Sequence, residues 1–175
     1  MRIFMLILAT LFCLAGIGAS VLGPANLDVH LLGKGDNAEK PYSEVLQNLI
    51  DQKTTLEESG AADAAQEEIT ALNELLEVVP SASTYTILHV FYYGILPILA
   101  LALLVLAFMK KPLVNMIAPA LVVASVLLWV LAPDLQGGSY GPASPKQIAL
   151  VIAGLMTLHA VTSFLSFRFI KKATA

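Results

Sequence analysis

Four long apolar runs dominate the pattern of hydrophobic and polar positions along the chain. They cover residues 1–22, 85–109, 113–132 and 147–168. Each run holds about twenty residues, and a helix of that length crosses the roughly 30 Å hydrocarbon core of a bilayer. The pattern therefore predicts an all-α integral membrane protein with four transmembrane helices. Polar segments at residues 23–84 and 133–146 and a short tail at residues 169–175 connect and follow them.

The first run admits two interpretations. Arg2 followed by an apolar core and the small residues Gly18, Ala19 and Ser20 is typical of a cleaved signal peptide. The apolar run is, however, longer than the 7–15 residues of a typical signal core. We therefore expect a retained first transmembrane helix, in effect an uncleaved signal anchor.

Residues 23–41 carry signals for turns. Gly23-Pro24, the residues 33–37 (Gly-Lys-Gly-Asp-Asn) and Pro41 all break regular structure. No strand precedes the paired glycines and no Gly-Lys-Ser/Thr follows them, so they are not a phosphate-binding loop. We expect an irregular connection here.

Residues 42–79 are polar overall but carry two apolar stripes with the spacing of a helix face. Gly60 separates the stretches, Pro80 follows the second, and Ser43 and Asp63 are suitable N-caps. The simplest arrangement is an antiparallel helical hairpin between the first and second spans, with its tip near Gly60. The first stripe comprises Tyr42, Val45, Leu49, Gln52 and Leu56, and the second Ala62, Ala65, Ile69, Leu72, Leu76 and Val79.

Charge adds an orientation to this layout. Arg2, the Lys110-Lys111 turn and the C-terminal tail are basic and contain no acid. Because short loops rich in Lys and Arg stay on the cytoplasmic side, both termini are predicted to be cytoplasmic and the hairpin extracytoplasmic. We expect this topology in a bacterial cytoplasmic (inner) membrane.

Acidic residues are concentrated in the predicted outer segment. Residues 23–84 hold twelve acids against Lys34, Lys40 and Lys53, a net charge of about −9. Such a surface attracts cationic partners, although a solvated helix face explains the same charges. Nothing in the pattern indicates nucleic-acid binding, since the basic residues lie beside the membrane.

Three polar residues fall inside the predicted spans: His89, Asn115 and His159. Interhelical hydrogen bonding accounts for such residues. Haem ligation by His89 or His159 is an alternative, but their depths differ by about 10 Å at 1.5 Å per residue, which disfavours one haem between them. A transport path near Asn115 and His159 is a second alternative, weakened by the lack of charged residues in the core of the spans.

No pattern for catalysis or a cofactor stands out. Cys13 is the single cysteine, which excludes an intrachain disulfide and a multi-cysteine metal site. The acids near the hairpin tip, Glu57, Glu58, Glu67 and Glu68, could bind calcium weakly, but no calcium-loop pattern supports this. We therefore predict no metal and no cofactor, and a protein that is not an enzyme.

The four spans with a large first and a small second outer loop resemble the layout of claudins and tetraspanins. Those families carry paired cysteines in the large outer loop, and this chain has none there. The resemblance therefore extends to topology, and their functions are not carried over.

These observations predict a non-catalytic accessory, scaffold or assembly subunit of a membrane protein complex. Its expected partners are other membrane subunits or a second copy, together with the lipid bilayer. A small channel or carrier, or a haem- or quinone-associated subunit, is the alternative. The residues expected to contact partners are the apolar Leu46, Ile50 and Leu75 and the acidic Glu57, Glu58, Glu67 and Glu68.

Overall fold

The computed structural model describes residues 1–32, 40–58, 63–135 and 143–173, and these residues are almost entirely helical, with no strand among them. The helices are α1 (Arg2–Leu31), α2 (Tyr42–Glu58), α3 (Asp63–Val78), α4 (Ala82–Val90), α5 (Leu96–Phe108), α6 (Val114–Leu131) and α7 (Pro145–Ala173). A π-helical turn at Phe91–Ile95 joins α4 to α5 without a break.

Four helical segments in the described chain are long and apolar enough to cross a membrane. This confirms the predicted all-α class and the four spans. The segments are Arg2–Leu31, Ala82–Phe108, Val114–Leu131 and Pro145–Phe169.

The irregular connection predicted from residue 23 is wrong for residues 23–31. α1 continues through Gly23 and Pro24 to Leu31, a length of about 45 Å at 1.5 Å per residue. A proline inside a helix removes one backbone hydrogen bond. The helix nevertheless continues because Gly23, Pro24 and Leu27 are all buried against the rest of the bundle. The remainder of the predicted irregular connection, residues 33–39, lies outside the described residues.

The core lies between α1, the α4–α5 segment, α6 and α7. α7 packs along α1 on one side and along α6 on the other. Apolar side chains on the opposite helix faces remain exposed, as expected for surfaces that contact lipid tails. Residues buried in the core include Cys13, Leu96, Leu103, Leu121, Leu128, Ile152 and Met156.

The second span contains a π turn beside Gly94 and Pro97. The N–H of Leu96 donates to the carbonyl of Phe91, which is the i to i−5 bond of a π turn. Pro97 stands in the first turn of α5 and has no N–H to donate. The extra residue in the π turn thus places the proline at a helix start, where the missing hydrogen bond costs least.

The turn between α5 and α6 is tight and basic. Lys110 has a positive φ of 59°. Its N–H donates to Ala107 O at 3.4 Å, and the N–H of Lys111 donates to Leu106 O at 3.0 Å, which together form a Schellman motif. Arg2 Nη2 donates to Phe108 O at 3.4 Å. The start of α1 and this basic turn therefore lie at the same end of the bundle.

α2 and α3 contact each other. Gln52 Nε2 donates to Glu68 Oε1 at 3.4 Å across the pair. Tyr42, Val45 and Leu72 of the two apolar stripes are buried. The other apolar stripe residues with described side chains are half-buried: Leu49, Leu56, Ile69, Leu76 and Val79. The predicted tip, residues 59–62, lies outside the described residues.

Gly23 allows the close approach of α1 to Tyr92. A Cβ at Gly23 would overlap the Tyr92 ring, whereas a Cβ at Gly18 would meet nothing within 4 Å. We expect Gly23→Ala to lower the free energy of unfolding by about 1–3 kcal/mol through overpacking. Gly18→Ala is the control, since alanine favours a helix over glycine by about 0.5–1 kcal/mol. Unfolding by SDS titration in mixed micelles measures both variants, and equal stability of the two would contradict this account.

Candidate functional site

A cluster of one carboxylate and several aromatic rings lies at the end of the bundle opposite Arg2. We call it the outer cluster; it comprises Asp28, Tyr42, Tyr85, His89 and Tyr93. Tyr85 OH donates to Asp28 Oδ1 at 2.7 Å. His89 Nε2 lies 3.2 Å from the same oxygen, so this ring nitrogen carries the hydrogen. Asp28 thereby connects α1 to α4.

Helical spacing brings the aromatic members of this cluster together. Tyr85, His89 and Tyr93 follow one another at intervals of four residues and therefore share one face of their segment. The ring centroids of Tyr85 and His89 are 4.5 Å apart, and those of His89 and Tyr93 are 5.9 Å apart. Ser81 is the N-cap of α4, and its Oγ accepts a hydrogen bond from the N–H of Thr84 at 3.2 Å.

Tyr42 links the start of α2 to the same cluster through a ring stack and a hydrogen bond. Its ring stacks on Tyr85 with centroids 4.2 Å apart and planes inclined by 18°. Its hydroxyl donates to Pro80 O at 2.6 Å, just before α4. Burial raises the pKa of Tyr42 to about 12, so the hydroxyl remains a donor at physiological pH. The outer cluster therefore joins α1, α2 and α4.

The sequence predicted His89 as a polar residue of the span but missed Asp28 as its partner. The sequence pattern predicts an irregular connection around Asp28, whereas the structure places this residue in the last turns of α1. A signal for the longer helix was present. The buried small and apolar residues of α1 continue with helical spacing past the glycine-proline pair: Gly16, Ser20, Gly23 and Leu27.

His159 lies fully buried where three spans meet. Its Nδ1 is 2.9 Å from Ala9 O on α1, and its Nε2 is 3.0 Å from Ala100 O on α5. A neutral imidazole carries one N–H and donates to one of these carbonyls at a time. Ser163 Oγ on the same helix lies 3.5 Å from Nδ1. The ring thus contacts the backbone of two other spans, which is the arrangement of interhelical hydrogen bonding.

The structure places Asn115 and His159 in different surroundings. Asn115 is exposed in the first turn of α6. The polar contacts of His159 come from α1, α5 and its own helix, and Asn115 is not among them.

The residues predicted to contact partners lie on the surface of α2 and α3. Ile50 and Leu75 are each 40% exposed, and Leu46 is half-buried. The acids Glu57, Glu58, Glu67 and Glu68 are exposed. Glu57 lies 3.6 Å from Lys53 Nζ. Across the described ranges, no group of three or more His, Cys, Asp or Glu side chains is arranged to hold a metal ion.

An open groove that the sequence did not indicate runs beside α3. Its volume is about 460 Å³. We call it the α3 groove. It is lined by the apolar Ala71, Leu75, Val78 and Leu135 and by the polar His30, Glu74 and Asp134.

Two further depressions lie between membrane-spanning helices and are lined almost entirely by apolar atoms. One, of about 290 Å³, lies between the C-terminal half of α1 and the N-terminal part of α7. The other, of about 210 Å³, lies between α6 and α7. Lipid tails suffice to fill grooves of this kind.

Comparison with known proteins gives no relative: no protein-family model, curated protein or solved structure matches this chain.

The hydrogen bond from Tyr85 to Asp28 can be removed without disturbing the aromatic stack. We expect Tyr85→Phe to lower the free energy of unfolding by about 1 kcal/mol, because it removes a hydrogen bond to a carboxylate at a partly exposed site. Tyr93→Phe is the matched control, since the Tyr93 side chain is 56% exposed. Unfolding by SDS titration measures both variants. A loss as large in Tyr93→Phe as in Tyr85→Phe would show that the contact with Asp28 contributes nothing.

Proposed function

We propose that this chain is a non-catalytic accessory subunit of a membrane protein complex. In this proposal α2 and α3 form an antiparallel hairpin on the extracytoplasmic side and bind partner proteins. One observation carries the proposal. The α2–α3 pair is attached to the bundle through Tyr42, and its outer surface leaves apolar side chains exposed among acids.

The exposed apolar residues support a binding role for this surface. Ile50, Leu75 and Val78 are each about 40% exposed. A pair of short helices is marginally stable without further packing. A partner that covers these residues would stabilise the pair. The exposed apolar faces of the spans, in contrast, are covered by lipid.

The distribution of basic residues supports the orientation. Arg2 contacts the carbonyl of Phe108, and the Lys110-Lys111 turn follows directly. Two basic segments far apart in sequence therefore share one end of the bundle. The positive-inside rule assigns that end to the cytoplasm, and the α2–α3 pair to the opposite side of a bacterial inner membrane.

The interior of the bundle supports a structural role for the spans. Three buried hydroxyl groups donate within their own helices: Ser125 to Val122 O at 2.9 Å, Thr162 to Leu158 O at 2.8 Å and Ser166 to Ser163 O at 2.7 Å. Both ring nitrogens of His159 face backbone carbonyls. Ligation of a haem iron there would require the ring to leave these contacts, which favours a structural subunit over a haem subunit.

The test is native purification in mild detergent followed by quantitative mass spectrometry. We expect partner proteins to co-purify with the wild-type chain, and Ile50→Ser to reduce their recovery about fivefold, which corresponds to about 1 kcal/mol of binding free energy. Ile87→Ser is the matched control: this isoleucine is 45% exposed and belongs to α4, not to α2 or α3.

Two results would contradict the proposal. One is a monodisperse monomer of 18.6 kDa with no co-purifying protein. The other is an equal loss of partners in the Ile50 and Ile87 variants, which would indicate general damage to the fold.

A further inference from the structure

The apolar depression between α6 and α7, which we call the α6–α7 groove, opens on the lipid-facing surface of the bundle. Its volume is about 210 Å³, and the side chains that line it are apolar. Pro119 of α6 and Val161 of α7 line it and are both exposed. Both helices are long and apolar enough to cross a membrane, so the groove contacts the acyl chains of the surrounding lipids.

Phe164 connects this groove to a positive charge. Its ring lines the groove, and Arg168 Cζ lies 4.9 Å from the ring centroid. A guanidinium this close to an aromatic face is held there by a cation–π attraction. Arg168 is exposed, and its side chain forms no ion pair with another residue in the described ranges. The charge therefore lies one helical turn beyond the groove and is free to bind an anion.

The direction of α7 places Arg168 at the same end of the bundle as the start of α1. Asn26, late in α1, donates to Ala143 O, just before α7, at 3.1 Å. His159, later in α7, contacts Ala9 O, early in α1, so the two helices are antiparallel. Arg168 lies beyond His159 by about 14 Å at 1.5 Å per residue, which brings it to the level of the first turn of α1.

The Lys110-Lys111 turn lies at this same end, because Arg2 at the start of α1 contacts Phe108 O. Both lysines are exposed and stand shortly before α6, which forms one wall of the groove. The sequences of α5, α6, α7 and this turn contain no Asp or Glu. The groove therefore ends in a region of positive charge that acids on these helices do not neutralise.

An apolar groove that ends beside exposed cations selects an amphipathic anion. Arg168 is the last residue but one of the membrane-crossing segment Pro145–Phe169, so its long side chain reaches the depth of the lipid headgroups. A guanidinium binds a phosphate through paired, charge-assisted hydrogen bonds. Basic pockets between transmembrane helices bind anionic headgroups in this way. A neutral apolar molecule would fill the groove but would leave the cations without a partner.

We propose that the α6–α7 groove binds an anionic phospholipid. One acyl chain lies along the groove, the phosphate contacts the guanidinium of Arg168, and the Lys110-Lys111 turn adds positive potential around the headgroup. A second copy of the chain fits less well, because a symmetric dimer through this face would bring the same positive charges together. The site does not involve α2 or α3, so it goes beyond the proposed docking role and is tested independently of it.

The test measures lipid binding to the purified full chain in a neutral detergent by native mass spectrometry, which resolves each bound lipid. The probes are dioleoyl phosphatidylglycerol, which is anionic, and dioleoyl phosphatidylcholine, which is zwitterionic and has identical acyl chains. We expect the dissociation constant of the first bound phosphatidylglycerol to be at least about tenfold lower than that of phosphatidylcholine.

Charge variants locate the headgroup. Arg168→Gln should weaken binding of phosphatidylglycerol about fivefold and should change that of phosphatidylcholine less than about twofold. Lys146→Gln is the matched control, since it makes the same charge change near the start of α7, at the other end of the helix. We expect this control to change the binding of either lipid less than about twofold.

Volume variants locate the acyl chain. Val161→Phe places a larger side chain in the groove and should weaken binding of both lipids about fivefold, because the chain loses apolar contact area. Val123→Phe is the control: Val123 is 59% exposed on α6 and does not line the groove, so binding should be unchanged. Thermal unfolding checks that all four variants keep the wild-type fold.

Three results would overturn this inference: equal affinity for the two lipids, equal losses in the Arg168 and Lys146 variants, or equal effects of the Val161 and Val123 variants. A fourth would assign the groove to a second copy instead. This is a stable dimer that binds neither lipid and becomes monomeric in Val161→Phe.

Discussion

The carboxylate of Asp28 is the contact on which the arrangement of this protein depends most. It accepts hydrogen bonds from Tyr85 and His89 and so fixes the C-terminal end of α1 against α4. Tyr42 stacks on Tyr85 and thereby fixes the start of α2 to the same point. Without this cluster, α2 and α3 would be two short amphipathic helices with little apolar surface to bury.

The spans provide the frame that makes this contact possible. Within a bilayer, polar groups find partners only in the protein, and His159 contacts the backbones of α1 and α5 from α7. Gly23 lets α1 pass closely over Tyr92, so the helix continues far enough to present Asp28. The packing of the four spans therefore determines where the surface of α2 and α3, our proposed docking site, lies.

The sequence predicted those parts of the structure that depend on local pattern. Apolar runs gave the four spans, and 3-4 spacing identified the buried Tyr42, Val45 and Leu72. The prediction failed where tertiary packing overrides local preference: Gly23-Pro24 breaks a helix by propensity, yet burial against Tyr92 keeps it continuous. The outer cluster was missed for that reason. The α3 groove could not be predicted, because its polar residues, His30, Glu74 and Asp134, are brought together only by the fold.

Photo-crosslinking in the native membrane tests whether the α2–α3 pair binds a partner protein. A benzoylphenylalanine at Ile50, on α2, is compared with one at Val126, which is exposed on α6 among the lipid-facing residues. We predict that position 50 gives a defined crosslink to another protein and that position 126 does not. Crosslinks from position 126 alone, or none to protein from position 50, would contradict it.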